Sequence, residues 1–130
     1  MPGWNDTFKI GLPHIDAQHQ QLFDLIDELH QAMLAGKSKE VLGKVLGKLV
    51  DYTVKHFGTE EALMRSAHCP TLRDHMREHE QFAAKVKEFE RQYREGKALI
   101  TVGLMDFLQN WLVNHINAVD KRLASELNAA

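Results

Sequence analysis

Four stretches of this chain carry apolar residues at spacings of three and four, and ionisable residues interrupt each of these stripes. This period gives an α-helix one apolar face. Five histidines and two carboxylates share the apolar faces, namely His19, His56, Glu60, His75, His79, His115 and Asp120. A chain with this pattern must bury polar groups among its apolar side chains, which strongly restricts the folds that it can adopt.

Capping residues divide the first half of the chain into two helices. Asp16 is the predicted N-cap of a first helix that runs to about Ala35, where Gly36 ends it. Ser38 is the predicted N-cap of a second helix. A proline and a glycine mark the bounds of a third helix, from Pro70 or Thr71 to Gly96, and a fourth helix runs from about residue 99 to residue 127.

Short links join these amphipathic helices, so consecutive helices are expected to be antiparallel neighbours. The predicted fold is therefore all-α: an antiparallel up-down-up-down four-helix bundle over residues 16–130, preceded by an N-terminal arm at residues 1–15. The length of 130 residues fits this single bundle. After the helices pack, no large apolar stripe is left over, so a monomer is expected.

Composition excludes several classes of partner. A net charge of −2 gives no attraction to nucleic acid. No apolar run approaches the roughly 20 residues that span a bilayer, so membrane insertion is not expected. The first residues lack the basic and apolar regions of a signal peptide, and the single cysteine, Cys69, cannot form an internal disulfide. Both features favour the cytoplasm.

The spacing of the buried polar residues suits metal binding. His56 and Glu60 are four residues apart, as are His75 and His79, so each pair lies on one helix face, one turn apart. Asp120 follows His115 by five residues, which is about 140° around a regular helix, so a local distortion is expected there.

Each ionisable residue, taken alone, is more often a hydrogen-bonded core residue than a ligand. Together they would leave unpaired polar groups on all four helices, which folded proteins avoid. We therefore predict a metal site. Of the other three histidines, His14 and His68 fall outside the stripes, and His30 lies three turns away from His19. We predict that none of these three is a ligand.

The ligand set favours two iron ions. Seven donors exceed the four that Zn²⁺ takes, and an imidazole-rich set suits iron better than Ca²⁺ or Mg²⁺. Two octahedral ions have twelve coordination positions. Two bridging carboxylates, five histidines and one bridging oxo or hydroxo group fill eleven of them, which leaves one position for a small ligand.

Four segments carry a resemblance that covers nearly the whole chain. Residues 15–19, 56–61, 75–79 and 111–120 resemble the four motifs of the hemerythrin family, and its single-domain bacterial members are the nearest in pattern. The resemblance implies that His75, His79 and His115 hold one iron. It implies that His19 and His56 hold the second, open iron, with Glu60 and Asp120 as bridges. It further implies reversible dioxygen binding, without turnover of a substrate.

Residues next to the ligands are candidates for the O₂ pocket and for orienting the imidazoles. Phe57, Trp111, Leu112 and Ile116 are the pocket candidates, because a carrier must exclude water and protons; ordinary core packing explains them equally well. Gln18, Asp16 and Asn114 are candidates for orienting imidazoles. Glu61 and Glu78 flank ligands, but their helical phase predicts that they point elsewhere.

Several functions are compatible with this site. The leading hypothesis is a non-enzymatic protein that carries, stores or delivers O₂ in a bacterial cell, with an O₂-consuming protein as its acceptor. A di-iron oxidase, peroxidase or nitric oxide scavenger would need a further acid or base near the open iron. A sensor of O₂ or iron would normally need an output module, which this sequence lacks.

Overall fold

A computed structural model describes Trp4 and residues 6–129. Residues 1–3 and 5 of the predicted arm lie outside the described residues, as does residue 130. A 3₁₀ turn at Asp6–Phe8 precedes the helices, and the α-helices are α1 Pro13–Leu34, α2 Lys39–Ser66, α3 Leu72–Arg94, α4 Val102–His115 and α5 Lys121–Ala129. A π-helical turn, Ile116–Asp120, joins α4 to α5 with helical backbone angles at both junctions.

The helices form the predicted all-α bundle, with α4, the π turn and α5 together supplying the fourth helix. The core consists of apolar side chains from every helix, and Ile15, Leu29, Leu46 and Leu108 are among the most deeply buried. Across the described residues, no helix has both the length and the apolar character needed to cross a membrane. The fold is that of a bundle whose interior is apolar along most of its length.

The N-terminal residues pack on the bundle through aromatic contacts. Phe8 stacks on Phe23 with ring centroids 5.2 Å apart, and the Trp4 ring meets Phe23 edge-on at 5.9 Å. The backbone N–H of Ile10 donates a hydrogen bond of 2.8 Å to the Asp16 carboxylate. The division into an arm at residues 1–15 and a bundle at residues 16–130 stays a prediction.

The expected N-cap role of Asp16 is wrong. α1 begins three residues earlier, at Pro13, and Asp16 lies in its first turn. Proline suits the first helical position because its ring fixes φ near the helical value and its missing N–H would have no partner there. Asp16 instead accepts the bond from Ile10, and its negative charge suits the positive end of the helix dipole.

Two side-chain caps fix the starts of other helices. The Ser38 hydroxyl accepts a hydrogen bond of 3.2 Å from the Val41 N–H, which confirms the predicted N-cap of α2. The fourth helix begins at Val102, later than predicted, because Thr101 is in extended conformation and its hydroxyl accepts from the Leu104 N–H at 3.2 Å. A threonine cap therefore decides where this helix starts.

The distortion expected between His115 and Asp120 is confirmed. Residues Ile116–Asp120 form a π turn, whose hydrogen bonds run from residue i to residue i+5 instead of i+4. The wider turn lets a residue five positions along the chain return to the same face of the helix. Asp120 is fully buried as a result.

Replacing Ser38 tests the cap of α2. Ser38→Ala should lower the free energy of unfolding by about 1 kcal/mol, because the Val41 N–H loses its acceptor. Urea denaturation at matched metal content measures this change. Ser66→Ala makes the same substitution at an exposed position at the other end of α2 and should change stability little; equal losses in the two variants would contradict the assignment of the cap.

Candidate metal centre

The bundle brings together all seven residues predicted as ligands. α1 supplies His19, α2 supplies His56 and Glu60, α3 supplies His75 and His79, and the fourth helix supplies His115 and Asp120. Each of the seven is at most 1% exposed. Their positions satisfy the first condition for a metal centre, which is that donors from separate helices converge in a dry core.

The seven side chains form two overlapping groups of donor atoms. In one group, which we call the three-histidine site, donor atoms within 4.8 Å of one another come from Glu60, His75, His79, His115 and Asp120. The two-histidine site combines His19 and His56 with the same two carboxylates, within the same distance. Glu60 and Asp120 belong to both groups, so they occupy the positions from which a carboxylate could bridge two ions.

The distances between donor atoms are short. Nε2 of His19 lies 2.9 Å from Oδ2 of Asp120, and Nε2 of His75 lies 3.0 Å from Oε2 of Glu60 and 3.1 Å from Oδ1 of Asp120. Nε2 of His56 contacts Oε1 of Glu60. The imidazole nitrogens and carboxylate oxygens thus share a very small volume.

Most of these atoms have no hydrogen-bond partner although they are buried. The unpartnered donor atoms are Nε2 of His19, His56 and His75 and both carboxylate oxygens of Glu60 and of Asp120. These atoms lie near one another, but the angles at which they approach do not satisfy the geometry of a hydrogen bond. Leaving so many buried polar atoms unsatisfied is very costly, and a cation among them removes that cost. The donor set therefore fits a metal centre.

The other ring nitrogen of three ligands has a hydrogen-bond partner on a different helix. Nδ1 of His79 lies 2.8 Å from Oε2 of Glu61, and Nδ1 of His115 lies 3.1 Å from Oε1 of Glu78. Nδ1 of His56 lies 2.7 Å from Oε1 of Gln18. Carboxylate and amide oxygens only accept, so each Nδ1 carries the proton and Nε2 keeps its lone pair toward the centre. We call Gln18, Glu61 and Glu78 the outer acceptors.

Helical phase predicted the directions of Glu61 and Glu78 but not their partners. Glu61 and Glu78 point away from the centre on their own helices, as their phase predicts, but each reaches a ligand of the next helix. Asn114 is exposed. The sequence carried one usable signal, because each outer acceptor is the immediate neighbour of a ligand on its own helix. Gln18 contacts the His56 imidazole, as expected of an orienting residue.

A further contact within the three-histidine site requires a proton or a metal ion. Nε2 of His79 and Nε2 of His115 face each other at 3.1 Å, while both Nδ1 atoms face carboxylates. If both Nδ1 atoms carry protons, the two neutral rings turn bare lone pairs toward each other, which is repulsive. A proton or a metal ion between them removes this repulsion.

The pKa values show how charge balances in this cluster. Burial opposes ionisation of Glu60, yet the close imidazoles of His19, His56 and His75 hold its pKa well below the usual range. Burial likewise opposes protonation of His19 and His115, but the neighbouring carboxylates raise the pKa of His19 to about 9 and that of His115 to about 10. Protons and metal ions therefore compete for the same atoms.

His79 shows the opposite behaviour. Burial, reinforced by the neighbouring imidazoles of His115 and His75, lowers the pKa of His79 to about 3. A neutral imidazole is the form that binds a metal ion. The Phe57 ring, stacked on His79 with centroids 3.8 Å apart, covers one face of that imidazole and keeps it dry.

The four O₂-pocket candidates all lie beside the cluster. Phe57, Leu112 and Ile116 are buried, and the half-buried Trp111 stacks on His115 at 4.5 Å. Phe57, Trp111 and Leu112 line a cavity of about 20 Å³, and Ile116 does not. The other lining residues are Leu22, Ile26, Leu49, Thr53, Phe82, Val86 and Leu108. Leu22 and Thr53 lie one turn from His19 and His56, and Phe82 and Leu112 lie one turn from His79 and His115, so the cavity adjoins both sites.

The remaining histidines stand apart from both donor groups. None of these three residues, His14, His30 and His68, belongs to a group of potential ligands among the described residues. His14 lies near the Gln18 amide at 3.4 Å, and His68 has a positive φ of 54° in the link after α2. Both groups of potential ligands are thus composed of the stripe residues.

The chain is similar to known proteins over nearly its whole length. The family model described as the hemerythrin HHE cation binding domain matches residues 11–127. The chain is 35% identical over 126 residues to a bacteriohemerythrin of Stenotrophomonas maltophilia, covering 97% of this chain and 81% of that protein. It is 33% identical over 122 residues to a bacteriohemerythrin of Methylococcus capsulatus, covering 94% and 92%.

A solved structure shows the same likeness in three dimensions. A crystal structure of wild-type hemerythrin has a TM-score of 0.93 and 30% sequence identity, and the superposition covers 98% of this chain and 98% of that one. The similarity includes the four helices that carry the cluster of donor atoms. With its fold, its buried cluster and the match of the family model, this chain belongs to the hemerythrin family.

Proposed function

We propose that this protein binds dioxygen reversibly at a di-iron centre and carries, stores or delivers it in the bacterial cytoplasm as a monomer. The observation that carries the proposal is the set of buried, unpartnered donor atoms on four helices. His75, His79 and His115 would hold one iron and His19 and His56 the other, with Glu60 and Asp120 between them. The hemerythrin names of the relatives support the choice of iron and dioxygen.

When bound, the two ferrous ions supply the electrons for reversible O₂ binding. The chain contributes five neutral imidazoles and only two carboxylates as ligands. A ligand set with few anions stabilises highly charged iron less than a carboxylate-rich set does. The set in this chain therefore favours reversible binding over oxidation chemistry. The two-histidine site has four protein residues against five at the three-histidine site, so it is the site with room for a small ligand.

The chain also provides an apolar space beside the cluster of donor atoms. The cavity of about 20 Å³ is lined by apolar side chains and by Thr53, whose hydroxyl already donates to the Leu49 carbonyl at 2.7 Å. A space of this size accommodates about one water-sized molecule. Phe57, Trp111, Leu112 and Ile116 would keep water and protons from the centre, which protects a carrier from irreversible oxidation.

The outer carboxylates support a carrier over a di-iron enzyme. An oxidase or peroxidase would require an acid or base at the small-molecule site. Glu61 and Glu78 accept hydrogen bonds from ligand imidazoles, and no carboxylate lines the cavity among the described residues. Relatives of the chain are named bacteriohemerythrin or myohemerythrin, and neither name denotes an enzyme.

The visible spectrum tests the proposed function directly. The purified protein should hold two irons per chain, and a charge-transfer band should appear in air and disappear on deoxygenation through repeated cycles. Elemental analysis and anaerobic titration with O₂ measure both quantities. A band that forms once and never reverses would point to an oxidase or redox sensor, and a lack of iron after anaerobic reconstitution would overturn the centre itself.

Glu60→Gln tests the bridging position. The amide removes a charge shared by both donor groups, so iron should fall from two per chain to one or fewer, with loss of the reversible band. Glu28→Gln removes the same charge from an exposed pair with Lys48 and should leave iron content unchanged. Two irons and a reversible band in Glu60→Gln would contradict the assignment.

Leu112→Ala tests whether the cavity protects the centre. The substitution enlarges the cavity and should lower the free energy of unfolding by about 2–5 kcal/mol, as for buried leucines in general. It should also speed irreversible oxidation of the iron protein in air, followed by loss of the reversible band. Leu46→Ala is the control, because Leu46 is equally buried but does not line the cavity. Equal oxidation rates in both variants would argue against a protective role.

A further inference from the structure

The outer acceptors of the two metal sites differ in charge. At the three-histidine site, Glu61 and Glu78 present carboxylates to Nδ1 of His79 and His115 at 2.8 and 3.1 Å. At the two-histidine site, Nδ1 of His56 meets only the neutral amide of Gln18, at 2.7 Å. Nδ1 of His19 is buried and has no hydrogen-bond partner among the described residues. Anionic support is therefore confined to one of the two sites.

A carboxylate that accepts from Nδ1 makes the imidazole a stronger donor at Nε2. Partial negative charge passes through the ring, the tautomer is fixed, and the ring is held in the direction of the metal ion. An amide provides the same orientation with less charge. Each cation also experiences direct attraction from the nearby carboxylates, which is strong in a buried site. Both effects favour a cation at the three-histidine site.

The number of donors acts in the same direction. The three-histidine site offers five residues and the two-histidine site four, and Glu60 and Asp120 are common to both. A first cation at the three-histidine site thus takes the larger ligand set and the anionic support together. A second cation must then share two carboxylates that the first has already partly neutralised.

We propose that the two metal ions are held with unequal strength, the three-histidine site filling first and emptying last, and that Glu61 and Glu78 set this order. The inference rests on the proposed di-iron centre. It assigns positioning roles to the two glutamates and to Gln18, and it makes the ion at the two-histidine site, which has fewer protein ligands, the more weakly held of the two.

Competition with a chelator tests the order on the intact iron-loaded chain. The ferrous protein is equilibrated anaerobically with increasing concentrations of a ferrous chelator, and iron per chain is then counted. The wild-type protein should lose its irons in two steps, with one iron per chain remaining between them. Circular dichroism on the same samples reports whether the chain stays folded.

Charge-changing variants assign each step to a site. Glu61→Gln and Glu78→Gln should shift the loss of the tightly held iron to roughly ten- to a hundredfold lower chelator concentration. Gln18→Glu adds a carboxylate at the two-histidine site and should shift the loss of the loosely held iron to higher chelator concentration. Glu28→Gln is the control, because Glu28 is an exposed carboxylate paired with Lys48 and belongs to neither donor group, and both steps should stay unchanged.

The outcomes separate this inference from the proposed function. Loss of both irons in a single step from the wild-type protein would overturn the order of filling but leave the di-iron centre intact. A shift of the loosely held iron in Glu61→Gln, or of the tightly held iron in Gln18→Glu, would reverse the assignment. Absence of two irons before any chelator is added would overturn the proposed function as well.

Discussion

Two buried carboxylates impose the main constraint on this structure. Glu60 and Asp120 are fully buried, and an uncompensated charge in a protein core is too costly to keep. The close imidazoles hold the pKa of Glu60 well below its usual range, so the group stays ionised and the core must supply positive charge. Protons on His19 and His115 can do this in part. A pair of cations does it more fully and also satisfies the lone pairs that have no hydrogen-bond partner.

The outer acceptors connect this charge balance to the packing of the helices. Each one lies beside a ligand of its own helix and accepts from a ligand of the next: Gln18 on α1 from His56, Glu61 on α2 from His79, and Glu78 on α3 from His115. The helices are thus joined in order by polar contacts as well as by apolar packing. Filling the centre should stabilise the whole bundle, because metal binding energy contributes to folding energy when the site exists only in the folded chain.

The fourth helix shows a local departure from regular geometry at the centre. A regular α-helix would point Asp120 away from His115, and the π turn at Ile116–Asp120 returns it to the same face. π turns inside α-helices occur often at functional sites, since they trade regular hydrogen bonding for the placement of one side chain. Here that side chain is one of the two carboxylates shared by both donor groups.

The sequence alone determined the four-helix bundle and the seven clustered residues, because helical periodicity places residues on faces and buried faces must meet. It also indicated the distortion before Asp120, which follows from arithmetic along one helix. The start of α1 at Pro13 and the Thr101 cap were missed, because local capping competes among several nearby residues. Only the tertiary structure decided the roles of Glu61 and Glu78. Helical phase describes a side chain relative to its own helix, whereas their partners, His79 and His115, are supplied by the next helix in the bundle.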